Sequence, residues 1–254
     1  MRRFADLVRR IRPAPLASTI GRLSGLSKRK PVRTEHGVFL VNPISNLGYQ
    51  LMFGDYEPSM RAVLRKYLEP GGIFIDLGAN EGYFSVLASG LVGPHGAVIA
   101  VEPQSRLQSV IQANLSLNNC YNVRLIQTVV SGATGSVEIQ LAPEVNTGGT
   151  SLFKNTKYSL ETESVQSLTL ADFLARTGAE RCDLMKVDVE GAEYDIFMGA
   201  EQVLRAGTIQ NIALEIHNDI LESRGLSGKR LHEWILSCGY ELHDELGNWV
   251  YSTV

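Results

Sequence analysis

The chain has 254 residues, 44% of them hydrophobic and 20% charged, with a formal net charge of −3; this is the composition of one well-buried soluble domain with additions, and not of a disordered, fibrous or disulfide-stapled chain. Cys120, Cys182 and Cys238 lack the paired spacing of a zinc site or a disulfide framework, which suits a reducing compartment. No run approaches the ~18 apolar residues that cross a bilayer, and the N-terminus lacks the apolar core of a secretory signal, so the expected location is cytoplasmic.

Charge is unevenly spread. Residues 1–34 hold ten Lys/Arg and one acid, a net of +9, whereas residues 35–254 carry a net of −12. In this basic head Phe4, Leu7, Val8 and Ile11 recur at helical spacing among Arg2, Arg3, Arg9, Arg10 and Arg12. That pattern permits a short amphipathic helix lying peripherally on an anionic membrane or on nucleic acid, and equally a docked or partly disordered extension with solvated arginines. The expected organisation is a basic extension, 1–34, and a domain, 35–254, that opens with a small strand and helix over 35–70.

That lead-in has a strand over 37–42 and, after Pro58, a helix with Met60, Val63, Leu64 and Leu68 on one side, stopped by Pro70, Gly71 and Gly72. Apolar strands and helices then alternate: strand 73–77, helix 83–91, strand 97–101, a helix carrying Leu107, Val110, Ile111 and Leu115, and strand 123–130. A βαβαβ order requires a parallel sheet with right-handed crossovers. A further strand over 135–141 precedes a polar stretch, 142–164, too long for a plain connection and read as a substrate-side cover or a disordered loop. Helix 170–177, strand 184–189, a helix with Ile196, Phe197, Ala200, Val203 and Leu204 on one face, strand 209–216, helix 229–238 and a hairpin of 240–242 with 249–251 complete the chain.

The turn after the first of these strands carries Asp76, Gly78, Asn80 and Gly82 at alternate positions and runs into a helix. In the dinucleotide fingerprint the second glycine lets a pyrophosphate approach the backbone. Asn80 stands in that place, and Asp76 repels phosphate. A phosphate-free cationic nucleoside suits this turn better, and S-adenosylmethionine is one. Glu102, at the end of the next strand, is placed to accept both ribose hydroxyls, at about 1.5–3 kcal/mol for each charged hydrogen bond.

Asp76, Glu102, Asp188, Glu190, Glu215 and His217 all fall at or just past strand ends, where ligands bind in open α/β sheets. Carboxylates crowded together call for a cation, a proton or a positively charged ligand among them. A sulfonium is one such charge, and magnesium held by Asp188, Glu215 and Asn218 is another. His217 is the candidate general base for a hydroxyl nucleophile, and Glu193 reads as favourable charge at a helix N-terminus.

Gly54 to Pro58, Pro70 to Tyr83, Val101 to Pro103, Val130 with Ser131, and Lys186 to Glu193 together resemble the FkbM family of class I SAM-dependent methyltransferases, from about residue 50 to residue 217. The resemblance implies a Rossmann-like α/β fold whose mostly parallel seven-stranded sheet has its last strand antiparallel and helices on both faces. It implies methylation of a hydroxyl on a sugar, glycolipid or secondary metabolite. It assigns cofactor binding to Asp76, Gly78, Asn80 and Glu102, brings Glu57 in from the preceding helix, and puts Asp188 and Glu190 on the catalytic side; Gly82 and Ser131 are taken with the cofactor residues, and Glu215 and His217, from their strand-end position, with the catalytic ones. The basic head lies outside the matched motifs. A nucleic-acid acceptor is not expected, because the fourth strand end lacks the Pro-Pro-aromatic arrangement that holds a flipped base and no Pro-Cys nucleophile is present. The competing readings are a non-catalytic SAM-binding or membrane-docked partner protein, and a nucleotide-binding oxidoreductase, which Asp76 and Asn80 disfavour.

Overall fold

The computed structural model describes residues 2–153 and 161–254; part of the expected cover, 154–160, and the side chains of Arg2 and Phe4 lie outside the described residues. Two helices, Arg2–Arg10 and Ala14–Leu23, precede a hairpin of β1 (Lys30–Thr34) and β2 (Gly37–Val41). Helices Asn46–Phe53 and Pro58–Tyr67 lead to β3 (Ile73–Leu77), helix Tyr83–Val92, β4 (Ala97–Val101), helix Ser105–Leu117 and β5 (Val123–Ile126). β3, β4 and β5 pair in parallel, as the alternation requires.

The strand expected over 123–130 is broken. Its second part, β6 (Val129–Val130), leaves the main sheet and joins β7 (Gly135–Gln140) and β8 (Thr162–Leu168) in a separate three-stranded sheet. At the break the Thr128 hydroxyl donates to the Gln166 carbonyl at 2.8 Å, which ties the chain to β8. β8 itself starts inside the stretch read as loop, because Val165 and Leu168 are its only strongly apolar residues.

β9 (Leu184–Val187) returns to the free side of β3, and β10 (Asn211–Leu214) lies beside it, both parallel. The terminal hairpin, β11 (Tyr240–Glu245) and β12 (Asn248–Thr253), adds β12 antiparallel to β10 and β11 at the edge. The order β11-β12-β10-β9-β3-β4-β5 is the expected seven-stranded, mostly parallel sheet with its last strand antiparallel.

Side chains alternate across this sheet. Ile75, Leu77, Met185 and Val187 pack with helices Leu170–Thr177 and Glu193–Met198 on one face. Phe74, Val98 and Leu184 pack with helices Pro58–Tyr67, Tyr83–Val92 and Ser105–Leu117 on the other. The chain reverses its direction across the sheet between β3 and β9, which opens a crevice beyond their carboxyl ends.

The basic head is built into the domain. Ala5, Val8 and Ala17 are buried against Ile44 and Val145, whereas Leu7, read on one apolar face with Val8, is exposed. A boundary after residue 34 falls in the β1–β2 turn. Arg29 grips the fully buried Glu81 with two hydrogen bonds, of 2.8 and 3.2 Å, from directly beneath the turn that follows β3. Removing one partner of such a buried pair strands the other's charge. Arg29→Ala is therefore expected to lower stability in urea denaturation by about 3–5 kcal/mol, and adding Glu81→Leu should recover part of that loss.

Candidate active site

The crevice is a cavity enclosing about 1310 Å³, its open mouth included, and it is walled by the ends of β3, β4, β9 and β10.

At one end lies the turn after β3. Gly78 has φ +86°, and a Cβ there would meet the Asp188 carbonyl oxygen at 1.9 Å, so only glycine lets the ends of β3 and β9 close on each other. Asn80 also takes a left-handed φ of 49°, which asparagine tolerates better than most residues. Its backbone N–H donates to Glu102 Oε2 at 2.8 Å, and its side-chain oxygen accepts from the Thr147 hydroxyl at 2.9 Å. Glu102 Oε1 accepts from the Gln104 backbone N–H at 3.0 Å and side-chain amide at 2.9 Å. Burial pushes the Glu102 carboxyl up to about 7 in spite of these donors and of Arg106 nearby.

At the other end Lys186 donates to Asp188 at 3.0 Å and lies in register with Asp76 on the neighbouring strand. Burial opposes its charge, but Asp188, Asp76 and Glu57 outweigh that and hold the ammonium protonated. His217 Nδ1 is 2.6 Å from Glu193 Oε1, and its Nε2 faces Asp188 Oδ1 and Glu190 Oε2 at 3.8 Å and Glu215 Oε1 at 3.9 Å. Burial alone would lower its pKa; the Glu193 hydrogen bond and the charges of Glu193, Glu190 and Asp188 lift it to about 9. His217 is thus an imidazolium at neutral pH, which argues against the general-base role expected of it. The Glu215 carboxyl, whose side chain is 61% exposed at the mouth of the cavity, is raised by partial desolvation and by the charge of Asp188, and burial raises that of Glu57.

The residues 144–152 cover the cavity. Thr147 binds Asn80, its carbonyl accepts from the Gln104 amide at 3.2 Å, and the Ser151 hydroxyl donates to the Glu190 carbonyl at 2.5 Å, so the cover is fastened to both ends. Beyond it Arg224 stacks on Phe153, 3.4 Å from the ring centre, and donates to the Gly191 carbonyl and to Asp195.

The expected site residues Glu57, Gly78, Asn80, Glu102, Asp188, Glu190, Glu215 and His217 all line this cavity, and four others stand elsewhere. Asp76 lies below the floor, fully buried, accepting from the Ser85 hydroxyl at 2.6 Å; its alternation in β3 turns it toward the helix-covered face. Gly82 begins the helix Tyr83–Val92 at φ +81°, with Ile111 3.0 Å from where a Cβ would be. The Ser131 hydroxyl is taken up by Ser167 at 2.9 Å in the small sheet. Asn218 packs its side-chain oxygen against Gly228 and lines an adjoining hollow that shares Glu57, Lys186, Asp188 and Glu215 with the cavity; among the described residues the group that offers ligand atoms within 4.8 Å of one another is Asp188, Glu215 and His217. Lys186, Gln104 and Thr147 were not expected in the site, nor was Glu193 as the partner of His217. Only Lys186, a charge inside an apolar strand, carries a signal in the sequence.

A sheet in this order, with a buried acid at the tip of β4 and a cavity at its reversal point, defines a class I methyltransferase fold. The Methyltransferase FkbM domain family matches residues 76–242, and the chain belongs to that family. It is 28% identical over 157 residues to methyltransferase SdnD of Sordaria araneosa, covering 50% of this chain and 60% of the relative. It is 27% identical to Methyltransferase 1 of Beauveria bassiana, covering 60% and 71%. The crystal structure of Methyltransferase FkbM from Methylobacillus flagellatus superposes with a TM-score of 0.46 at 15% identity, over 94% of this chain and 60% of that one.

A histidine whose folded pKa is raised to about 9 from an ordinary 6.5 contributes stability that is whole below 6.5 and is lost as the pH climbs through about 9. The melting temperature of the wild type should fall across that window relative to His217→Gln, with the two compared by calorimetry in matched buffers.

Proposed function

We propose that this chain transfers the methyl group of S-adenosylmethionine to a hydroxyl of an uncharged or cationic small-molecule acceptor such as a sugar, glycolipid or secondary metabolite. The observation that carries this reading is Glu102, a buried carboxylate on the cavity wall whose hydrogen bonds come from amides. Both acceptor sites of Oε1 are taken by Gln104, whereas Oε2, bonded to the Asn80 N–H alone, has capacity for a further donor such as a ribose hydroxyl.

The charge of the cavity fits the same cofactor. Glu57, Glu102, Asp188, Glu190 and Glu215 line it against Lys186 and His217, an excess that favours a sulfonium and opposes the pyrophosphate of NAD. When bound, the cofactor supplies an electrophilic methyl group.

The rest of the work falls to the chain. Asp188 is held by Lys186, and the His217 imidazolium, oriented by Glu193, offsets the carboxylates around it. Glu215 is the residue suited to take the acceptor's proton at Oε1, because partial desolvation and Asp188 raise its proton affinity above that of an ordinary carboxylate. The cover over residues 144–152 excludes water that would compete with the acceptor. An anionic acceptor would meet repulsion at every carboxylate.

Isothermal titration should detect S-adenosylmethionine binding and no NAD binding, and the reverse would overturn the reading. Affinity should rise as the pH passes upward through about 7, where Glu102 ionises and becomes a charged, stronger acceptor for the ribose. Glu102→Ala should weaken binding by at least about tenfold, from the loss of hydrogen bonds worth ~1.5–3 kcal/mol each. Labelled S-adenosylmethionine with extracted glycolipids and metabolites tests turnover, and binding without any transfer would favour a non-catalytic role. EDTA is expected to leave turnover unchanged, since the His217 proton already supplies the positive charge among the carboxylates; a loss restored by magnesium would assign that charge to a metal.

A further inference from the structure

The two N-terminal helices turn Ala5, Val8, Ala17 and Gly21 inward and leave three leucines, Leu7, Leu16 and Leu23, outward. Along Ala14–Leu23 the buried residues are Ala17, Ser18 and Gly21. At about 100° per residue, Leu16 and Leu23 fall opposite that stripe, and they are 46% and 84% exposed. The helix cannot roll to hide them, because Gly21 sits so close to the body that a Cβ would meet Ile44 Cδ1 at 2.2 Å. In Arg2–Arg10 the inner residues are Ala5 and Val8. Leu7, 59% exposed, points away, and Arg3 and Arg10 share its face at i−4 and i+3. Arg12, Arg22 and Lys28 are exposed on the same segment.

We propose that this helical pair docks on an anionic lipid surface, with Leu7, Leu16 and Leu23 entering the boundary between headgroups and acyl chains and the surrounding arginines resting on the headgroups. Neither signal suffices alone, since stable peripheral anchoring takes an apolar contact together with a basic patch. Charge complementarity selects the partner and the pose. Residues 1–34 carry +9 and the remainder −12, so an anionic surface attracts this end and repels the body. Lipid fits better than nucleic acid, because the protruding side chains are aliphatic, whereas bound bases stack on aromatic ones. Val145, from the turn that covers the cavity, shares the apolar cluster beneath these helices. Docking therefore sets the cover of the active site directly behind the membrane-facing surface. No helix among the described residues is long and apolar enough to cross a bilayer, consistent with contact from one side.

The test is flotation of the full chain with phosphatidylcholine vesicles with and without phosphatidylserine. Binding is expected only with phosphatidylserine, weakening in high salt. Arg3→Glu with Arg22→Glu should lower the partition coefficient by more than tenfold, at about fivefold for each charge removed. Leu16→Ser with Leu23→Ser should abolish most binding at unchanged melting temperature, since both side chains are exposed; Leu16→Gln with Leu23→Gln repeats the measurement if the serine pair is destabilised. Absence of flotation, or flotation indifferent to the leucine changes, overturns the proposal. So does tight binding to an oligonucleotide duplex without vesicle binding, which would assign the arginines to nucleic acid. A solution dimer dissociated by the leucine changes, again without vesicle binding, would assign the face to a second copy of the chain.

Discussion

Negative charge crowded into a poorly solvated crevice is the constraint on which the rest of this protein depends. Four parallel strands end in acids at one place, and Asp188, Glu190, Glu215 and Glu57 converge there with Asp76 below the floor. Two cations keep that arrangement folded. Lys186 reaches up from inside β9 to Asp188, and His217 holds a proton between Glu193 and the three carboxylates near its Nε2. The carboxylates around them raise the proton affinity of both. Among the lining side chains acids remain in excess.

The same constraint explains how far the supporting structure reaches. Glu81, in the turn that shapes the cofactor end, is fully buried and is neutralised by Arg29, some fifty residues earlier in the chain. Asn114 donates from helix Ser105–Leu117 to the Glu81 carbonyl at 2.7 Å and accepts from the Leu40 N–H of β2 at 2.6 Å. The lead-in hairpin is therefore part of the wall behind the site. The cover is braced in a comparable way, by Thr147 and Gln104 at one end and by Ser151 and Arg224 at the other. Closing a polar turn over a cavity leaves backbone groups to be paired; Gln104 pairs the Thr147 carbonyl of the cover, and Ser151 and Arg224 pair the Glu190 and Gly191 carbonyls beneath it.

Much of this was legible from residue order. The alternation of apolar runs predicted the parallel sheet, and strand ends rich in Asp and Glu marked the crevice, because a parallel sheet delivers all its carboxyl ends to one edge. Asn80 in place of a glycine pointed away from a pyrophosphate, and in the structure its side chain is bonded to Thr147 of the cover. Ser131 was misleading for a simple reason. It follows an apolar strand as a binding residue would, but the chain leaves the main sheet at Thr128 and carries Ser131 into a different layer. Asp76 was displaced by strand alternation, which sends it toward helix Tyr83–Val92 and not toward the ligand space.

The sequence by itself determined the layered α/β fold, the turn geometry that demands Gly78, and the acidic character of the site, since these follow from local periodicity and from residue types a few positions apart. Tertiary structure decided which charges meet. Whether His217 is a base or a cation depends on Glu193 lying 2.6 Å from it across 24 residues of chain, and whether the basic head is a loose tail or a wall depends on Arg29 finding Glu81. Proton affinity and ion pairing vary with distance and burial, and neither quantity exists until the chain has folded.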